Sequence, residues 1–161
     1  MEKKIVAPGN LASKVKKLRG SGKRIVFTNG CFDILHCGHI RYLQAARQTG
    51  DVLIVALNSD RSVQTIKGPL RPIIQETQRA EVLASLGCVD VVILFDDPDP
   101  LALIQSIKPD VLVKGKDWAE DEIVGADVVK ANGGRVVRVP VVADISTSEI
   151  IRRIIERCRE T

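Results

Sequence analysis

Short runs of aliphatic and β-branched residues recur along the chain, and most are followed by a stretch whose apolar positions fall at helical spacing. Residues 11–19, "LASKVKKLR", set apolar positions against a basic face, and "GSGK" ends them as a turn, which predicts a short leading helix. "RIVFTN" (24–29) reads as a strand and is followed by a helix over about 38–49, closed by Gly50. The alternation then continues with a strand at 52–58, a broken helical segment through "SDRSVQTIKG", a helix at 77–87 and a strand at 89–95. A helix at 100–107, a strand at 110–115, a helix at 120–134, a strand at 135–140 and a last helix from about Ser146 to Cys158 complete the series.

Strands that are apolar from end to end are covered on both faces, and strands that alternate with helices run parallel. The pattern predicts one α/β domain over 1–161, doubly wound and Rossmann-like, with an approximately five-stranded parallel sheet. Residues 1–22 form its leading helix and turn. A chain of 161 residues buries about two thirds of the surface its unfolded form exposes, enough for one self-sufficient core. That core must be aliphatic, since the sequence holds only three Phe, one Tyr and one Trp.

Composition narrows the classes. With 45% hydrophobic and 27% charged residues the chain is neither disordered nor fibrous. The net charge of +4 is spread among interspersed acids, which disfavours nucleic acid and suits small anionic substrates. Cys31, Cys37, Cys88 and Cys158 form no CxxC pair and no secreted framework, so a reducing compartment is expected. No apolar run approaches the length of a membrane span and no signal-peptide core is present, which gives the expectation of a cytoplasmic protein without a membrane role.

Ligands of open α/β sheets bind beyond the carboxyl ends of the strands. "TNGCFD", "NSD", "KGKDW" and "DISTS" all fall at such ends. In "TNGCFDILHCGH" (28–39), His36 and His39 lie three apart at the start of the first long helix, on one face of one turn. The free N–H groups and dipole of that helix end attract an anion, and Gly30 and Gly38 leave the backbone open to it. Two imidazoles there can donate to a phosphate and to charge that develops on it. Capping or packing histidines, or a metal site from Cys31, His36, Cys37 and His39, are the other readings; the spacing matches no common zinc pattern.

At 145–151, "ISTSEII", Ser146 or Thr147 caps the last helix, and Glu149 completes part of a capping box. These hydroxyls are either caps alone or a second anion site, and two helix N-termini at one sheet edge would suit a polyphosphate. "KGPLRP" (67–72) and "KGKDW" (114–118) put cations and glycine on loops of the same rim. Asp33 and Asp60 lie just past strand ends, where they cap helices, accept from ligand hydroxyls or help hold Mg²⁺. The sequence has no GxGxxG after its first strand, no P-loop and no serine nucleophile elbow.

"GCFDILHCGH" resembles the GxFDxxHxGH signature of the cytidylyltransferase-like branch of nucleotidyltransferases, and "ISTSEII" resembles the branch's second signature. The similarity continues through "LNSD", "KGPLRPI", "QRAEVLASLGCVDVVI", "PDVLVKGKDW" and "ANGGRVVRVP", covering roughly 24–157. Within the branch the chain is most similar to the adenylyltransferase domains of enzymes that make ADP-activated heptose for bacterial lipopolysaccharide. Such enzymes often carry a sugar kinase domain, for which this chain is too short, so the resemblance implies a stand-alone form served by a separate heptose kinase. Relatives that use CTP have an Arg-Thr pair before the second signature where this chain reads "PVVADISTS", which argues against a glycerol 3-phosphate cytidylyltransferase.

The resemblance implies transfer of AMP from ATP to heptose 1-phosphate, with His36, His39 and Lys116 as catalytic groups. It assigns Thr28, Asn29, Gly30, Phe32, Gly38, Asn58, Asp60, Arg71, Ser146, Thr147 and Ser148 to the nucleotide, and Asp33 and Lys67 to the sugar substrate. Mg²⁺ is expected to be bound mainly through phosphates rather than by a protein cluster, and a homodimer is the family expectation.

Overall fold

The computed structural model describes residues 4–142 and 145–159; Met1–Lys3 of the leading segment and Ala143 and Asp144 of the "ADIS" stretch lie outside the described residues. Five strands, β1 (Ile25–Gly30), β2 (Val52–Asn58), β3 (Val91–Phe95), β4 (Val111–Gly115) and β5 (Arg135–Val139), form one parallel sheet in the order β3-β2-β1-β4-β5. The helices are α1 (Leu11–Gly20), α2 (Cys37–Arg47), α3 (Asp60–Lys67), α4 (Glu76–Ser85), α5 (Leu101–Ile107), α6 (Ala126–Ala131) and α7 (Thr147–Arg159).

The period of two along each strand sorts its side chains into two cores. Ile25, Phe27, Ile54, Ile93 and Leu112 pack with Leu11 and Val15 of α1, Ile104 and Ile107 of α5 and Val129 of α6. Their neighbours Val26, Leu53, Val55, Val92 and Val111 pack on the other face with Leu43 and Ala46 of α2 and Ala80 and Leu83 of α4. The leading segment also reaches the sheet edge, where Val6 N–H donates to Val92 O at 2.9 Å.

Two departures from the sequence pattern bear on the site. The helix expected over 120–134 is a 3₁₀ turn at Glu120–Glu122 followed by the short α6. Gly125 separates them at φ +82, a conformation that interrupts a helix, and Ile104 lies where its Cβ would be. The broken segment after β2 is a regular helix, α3, because the Ser59 side chain accepts from Ser62 N–H as an N-cap.

The sheet opens at its centre. β1 pairs with β2 as far as Gly30, and β4 with β5 as far as Gly115, but β1 and β4 pair only at Val26 with Val111 and Phe27 with Leu112. Beyond those pairs the two strands diverge at the point where strand order reverses. A doubly wound sheet places its ligand crevice there.

Candidate active site

A cavity of about 540 Å³ occupies this crevice. Its walls come from the β1–α2 turn, the end of α3 with the loop to Arg71, the β4 end through Trp118, and the approach to α7.

The β1–α2 turn supplies the histidines. His36 is the N-cap of α2 with extended backbone, and its side chain makes no cap bond, so the first N–H groups of the helix are not taken by it. His39 sits in the first turn, and the two rings stack with centroids 3.8 Å apart and planes 25° off parallel. Phe32 meets His39 edge-on at 5.2 Å. Its backbone adopts φ +43, which is uncommon for a bulky residue and marks a turn held by its surroundings. Gly38 permits the stack, since a Cβ there would stand 2.9 Å from His36 Nδ1 and 3.2 Å from Ile145.

Burial holds His39 down at about 4, with the His36 ring adding to the effect, and burial also lowers His36. Both are neutral at pH 7. Among the described residues, His36 Nδ1 and His39 Nδ1 are the buried side-chain nitrogens and oxygens that have no hydrogen-bond partner. Buried polar groups are ordinarily paired, so a pair of orphans in a cavity wall marks polar groups left over for a ligand.

The second helix end faces the same cavity. Ser146, Thr147 and Ser148 line it at the start of α7. Ser146 Oγ accepts from Glu149 N–H at 3.1 Å, and Thr147 Oγ1 lies 3.5 Å from Ile34 O. The Glu149 carboxylate is held by Arg152 and Arg153 on its own helix, at 2.6 and 2.7 Å.

The sequence-derived candidates separate into three groups. Asn29, Gly30, Phe32, His36, Gly38, His39, Asn58, Lys67, Arg71, Ser146, Thr147 and Ser148 line the cavity together. Asp33 lines it too, but its carboxylate is consumed by the chain itself. It accepts from Arg71 Nε at 2.6 Å and from Ile73 and Ile74 N–H at 2.8 to 2.9 Å, bonds that hold it below the usual carboxylate range against the opposing effect of burial. Asp33 therefore aims Arg71 into the cavity and has no free oxygen edge comparable to a sugar-binding carboxylate.

Thr28, Asp60 and Lys116 are not brought into the wall. Thr28 is buried against the Tyr42 hydroxyl at 2.7 Å. Asp60 accepts from Arg79 Nη2 at 2.7 Å. Lys116 is exposed because β4 ends at Gly115 and the chain turns there, with Trp118 N–H donating to Gly115 O.

Lys114, Tyr42, Trp118 and Arg79 were not singled out by the sequence. Arg79 is fully buried and donates to Cys31 O, Ile74 O and Asp60, tying the first turn to α3 and to the loop after it. Its signal was faint: an arginine at a position whose helical neighbours Ala80, Leu83 and Ala84 face the core. Among the described residues no group of three or more His, Cys, Asp or Glu converges as a metal site, and no helix is long and apolar enough to cross a membrane.

A protein named bifunctional protein HldE from Methylobacillus flagellatus is 55% identical over 145 residues, covering 90% of this chain and 30% of the relative. The protein of the same name from Gluconobacter oxydans is 55% identical over 131 residues, covering 81% and 27%. This chain thus spans less than a third of the length of those relatives. The crystal structure of the lipopolysaccharide core biosynthesis protein from Thermoplasma volcanium superposes with a TM-score of 0.61 at 33% identity, covering 75% of this chain and 98% of the other. The cytidylyltransferase-like family model matches residues 27–153, which hold both histidines and the start of α7, and this chain belongs to that family of nucleotidyltransferases.

Proposed function

We propose that the chain transfers AMP from ATP to the phosphate of a D-glycero-D-manno-heptose 1-phosphate, giving ADP-heptose and pyrophosphate for lipopolysaccharide core synthesis. One observation carries the reading: the stacked, neutral His36 and His39, each with a buried unpartnered Nδ1, face the same cavity as the hydroxyls that open α7. Two helix N-termini with neutral donors suit a polyphosphate chain. The similarity to the HldE proteins and to a lipopolysaccharide core biosynthesis protein supports the sugar class.

An oxygen of the acceptor phosphate attacks the α-phosphorus, and the bond from that phosphorus to the bridging oxygen breaks as pyrophosphate leaves with the electron pair. The attacking oxygen is already ionised at pH 7, so no general base is needed and catalysis rests on alignment and charge stabilisation. His36 and His39 donate to the transferring group and the leaving phosphates. Ser146, Thr147 and Ser148 receive the outer phosphates, and Arg71, aimed by Asp33, meets an anionic group at the rim. Mg²⁺ would be held mainly through the nucleotide's phosphates, where it would offset their charge; among the described residues no group of three or more His, Cys, Asp or Glu converges on it. A separate kinase step supplies the sugar 1-phosphate, and the reaction runs in the cytoplasm with ATP.

Pyrophosphate release is measured with ATP or CTP, each with heptose 1-phosphate or glycerol 3-phosphate, in Mg²⁺. Release confined to ATP with heptose 1-phosphate is expected. Release confined to CTP overturns the choice of nucleotide, and silence in all four overturns the reaction.

A further inference from the structure

Where β1 and β4 part, two side chains span the gap. Tyr42 donates from its hydroxyl to Val113 O at 3.0 Å while bonded to Thr28, and Lys114 Nζ donates to Asn29 Oδ1 at 2.5 Å. Lys114 Nζ also stands 5.5 Å from the centre of the Trp118 ring. The ammonium therefore lies in the floor of the crevice, between the carboxyl ends of the two strands at the switch point.

Three cations line the cavity, and their surroundings differ. Arg71 already has the Asp33 carboxylate at 2.6 Å. Lys67 is exposed and keeps its hydration. Lys114 is half-buried, its hydrogen-bond partner is a neutral amide, and among the described residues the one carboxylate that acts on it is Asp117. Burial costs a cation free energy that a neutral amide and a ring face only partly return, whereas an arriving anion returns much more.

The remaining donors of the cavity carry no full charge. The histidines are held neutral and the hydroxyls of Ser146, Thr147 and Ser148 are neutral. The reaction nevertheless has to bring two phosphates to within about 3 to 3.5 Å of each other. We propose that Lys114 is a catalytic residue of the transfer, its ammonium lying between the attacking phosphate of the acceptor and the α-phosphate of the nucleotide and offsetting their charge as the new bond forms. The role rests on the nucleotidyl-transfer reading above. Lys114 keeps its proton throughout, because the only bonds that change are those at the α-phosphorus.

The groups sharing the cavity wall with Lys114 include Asp99, Asp117 and Glu122, the two histidines, Tyr42 and the other two cations. Burial lowers Lys114 to about 8, and Asp117 opposes that shift. Burial lifts Tyr42 well above its ordinary range, so it stays protonated across the same window. The value for Lys114 belongs to the unliganded cavity, so kcat/KM is expected to fall as pH rises through about 8.

The test uses the full chain with Lys114→Met and Lys114→Arg, measuring pyrophosphate release with ATP and the acceptor and ATP binding by equilibrium dialysis. Lys114→Met is expected to lose at least about 100-fold in kcat while its Kd for ATP stays within about threefold. Lys114→Arg, which stays charged at any working pH, is expected to retain activity and to lose the fall near pH 8. Unchanged kcat in Lys114→Met, a loss confined to ATP binding, or an alkaline fall that persists in Lys114→Arg overturns the role. A wild-type chain that releases no pyrophosphate overturns the functional reading and this role with it, whereas an active wild type beside an equally active Lys114→Met overturns the role alone.

Discussion

The two helix N-termini that face the cavity are built in opposite ways. α2 is locked into the molecule: Gly38, Leu43 and Ala46 are buried, and His36 and His39 are fixed by each other, by Phe32 and by the absence of a side chain at Gly38. α7 has no buried residue along its thirteen, and its first turn is tied down by little more than Ser146 as a cap and Thr147 against Ile34 O. A donor that must meet charge as it develops has to be in place beforehand, whereas one that only holds the outer phosphates can be ordered by them. Under the proposed reaction, the contrast would give the chemistry to α2 and retention of the nucleotide to α7.

Removing a donor at the α2 end should give the largest effect. His39→Ala is expected to lose at least about 100-fold in kcat with its circular dichroism spectrum unchanged, and a kcat equal to wild type would take the histidines out of the mechanism. At α7 the double change Ser146→Ala with Thr147→Val should act on binding instead. A rise of about tenfold in KM for ATP with kcat held within about threefold is expected, and a fall in kcat as deep as that of His39→Ala would erase the distinction between the two ends.

The smallest effect, and the one that separates the ends without substrate, lies in stability against pH. His39 is held at about 4 in the fold against 6.5 when unfolded, so the unfolded chain takes up the proton first. That contribution is absent at pH 7, grows as pH falls from about 6.5 and is complete below about 4. Glu149 on α7 is drawn down to about 2 by Arg152 and Arg153, so its stabilising contribution is present above its ordinary 4.5 and is lost only as pH falls towards 2. The melting temperature of wild type should therefore decline between pH 6.5 and 4 more than that of His39→Asn. Parallel curves for the two would show that the α2 end does not titrate in this window.

Local pattern carried the reading of the fold a long way. Apolar runs and helical spacing located the five strands, the helix after each of the first three and the last helix, because burial on both faces leaves a strong periodic trace. It failed at 120–134, where the spacing of Ile123, Val128 and Val129 resembled one helix and only the backbone angle of Gly125 divides it. In the cavity wall, the placement of the glycines and histidines at a helix start was legible because it depends on neighbours in sequence. What was hidden depends on partners far along the chain: Asp33 is spent on Arg71, 38 positions away, and Lys114 on Asn29, 85 positions away. Choosing between Lys114 and Lys116 required knowing that the chain turns after Gly115, which alternation alone does not reveal.

Arg79 carries a consequence for what holds the histidine turn in place. Its guanidinium joins Cys31 of the β1–α2 turn to Asp60 and Ile74, which lie with Arg79 itself in the crossover between β2 and β3. One carboxylate matches its charge and two carbonyls accept from its other two nitrogens, so losing any of the three leaves a buried donor unpaired. The turn that carries the histidines is thus pinned from outside the cavity wall, and its shape depends on the next crossover being packed against the sheet.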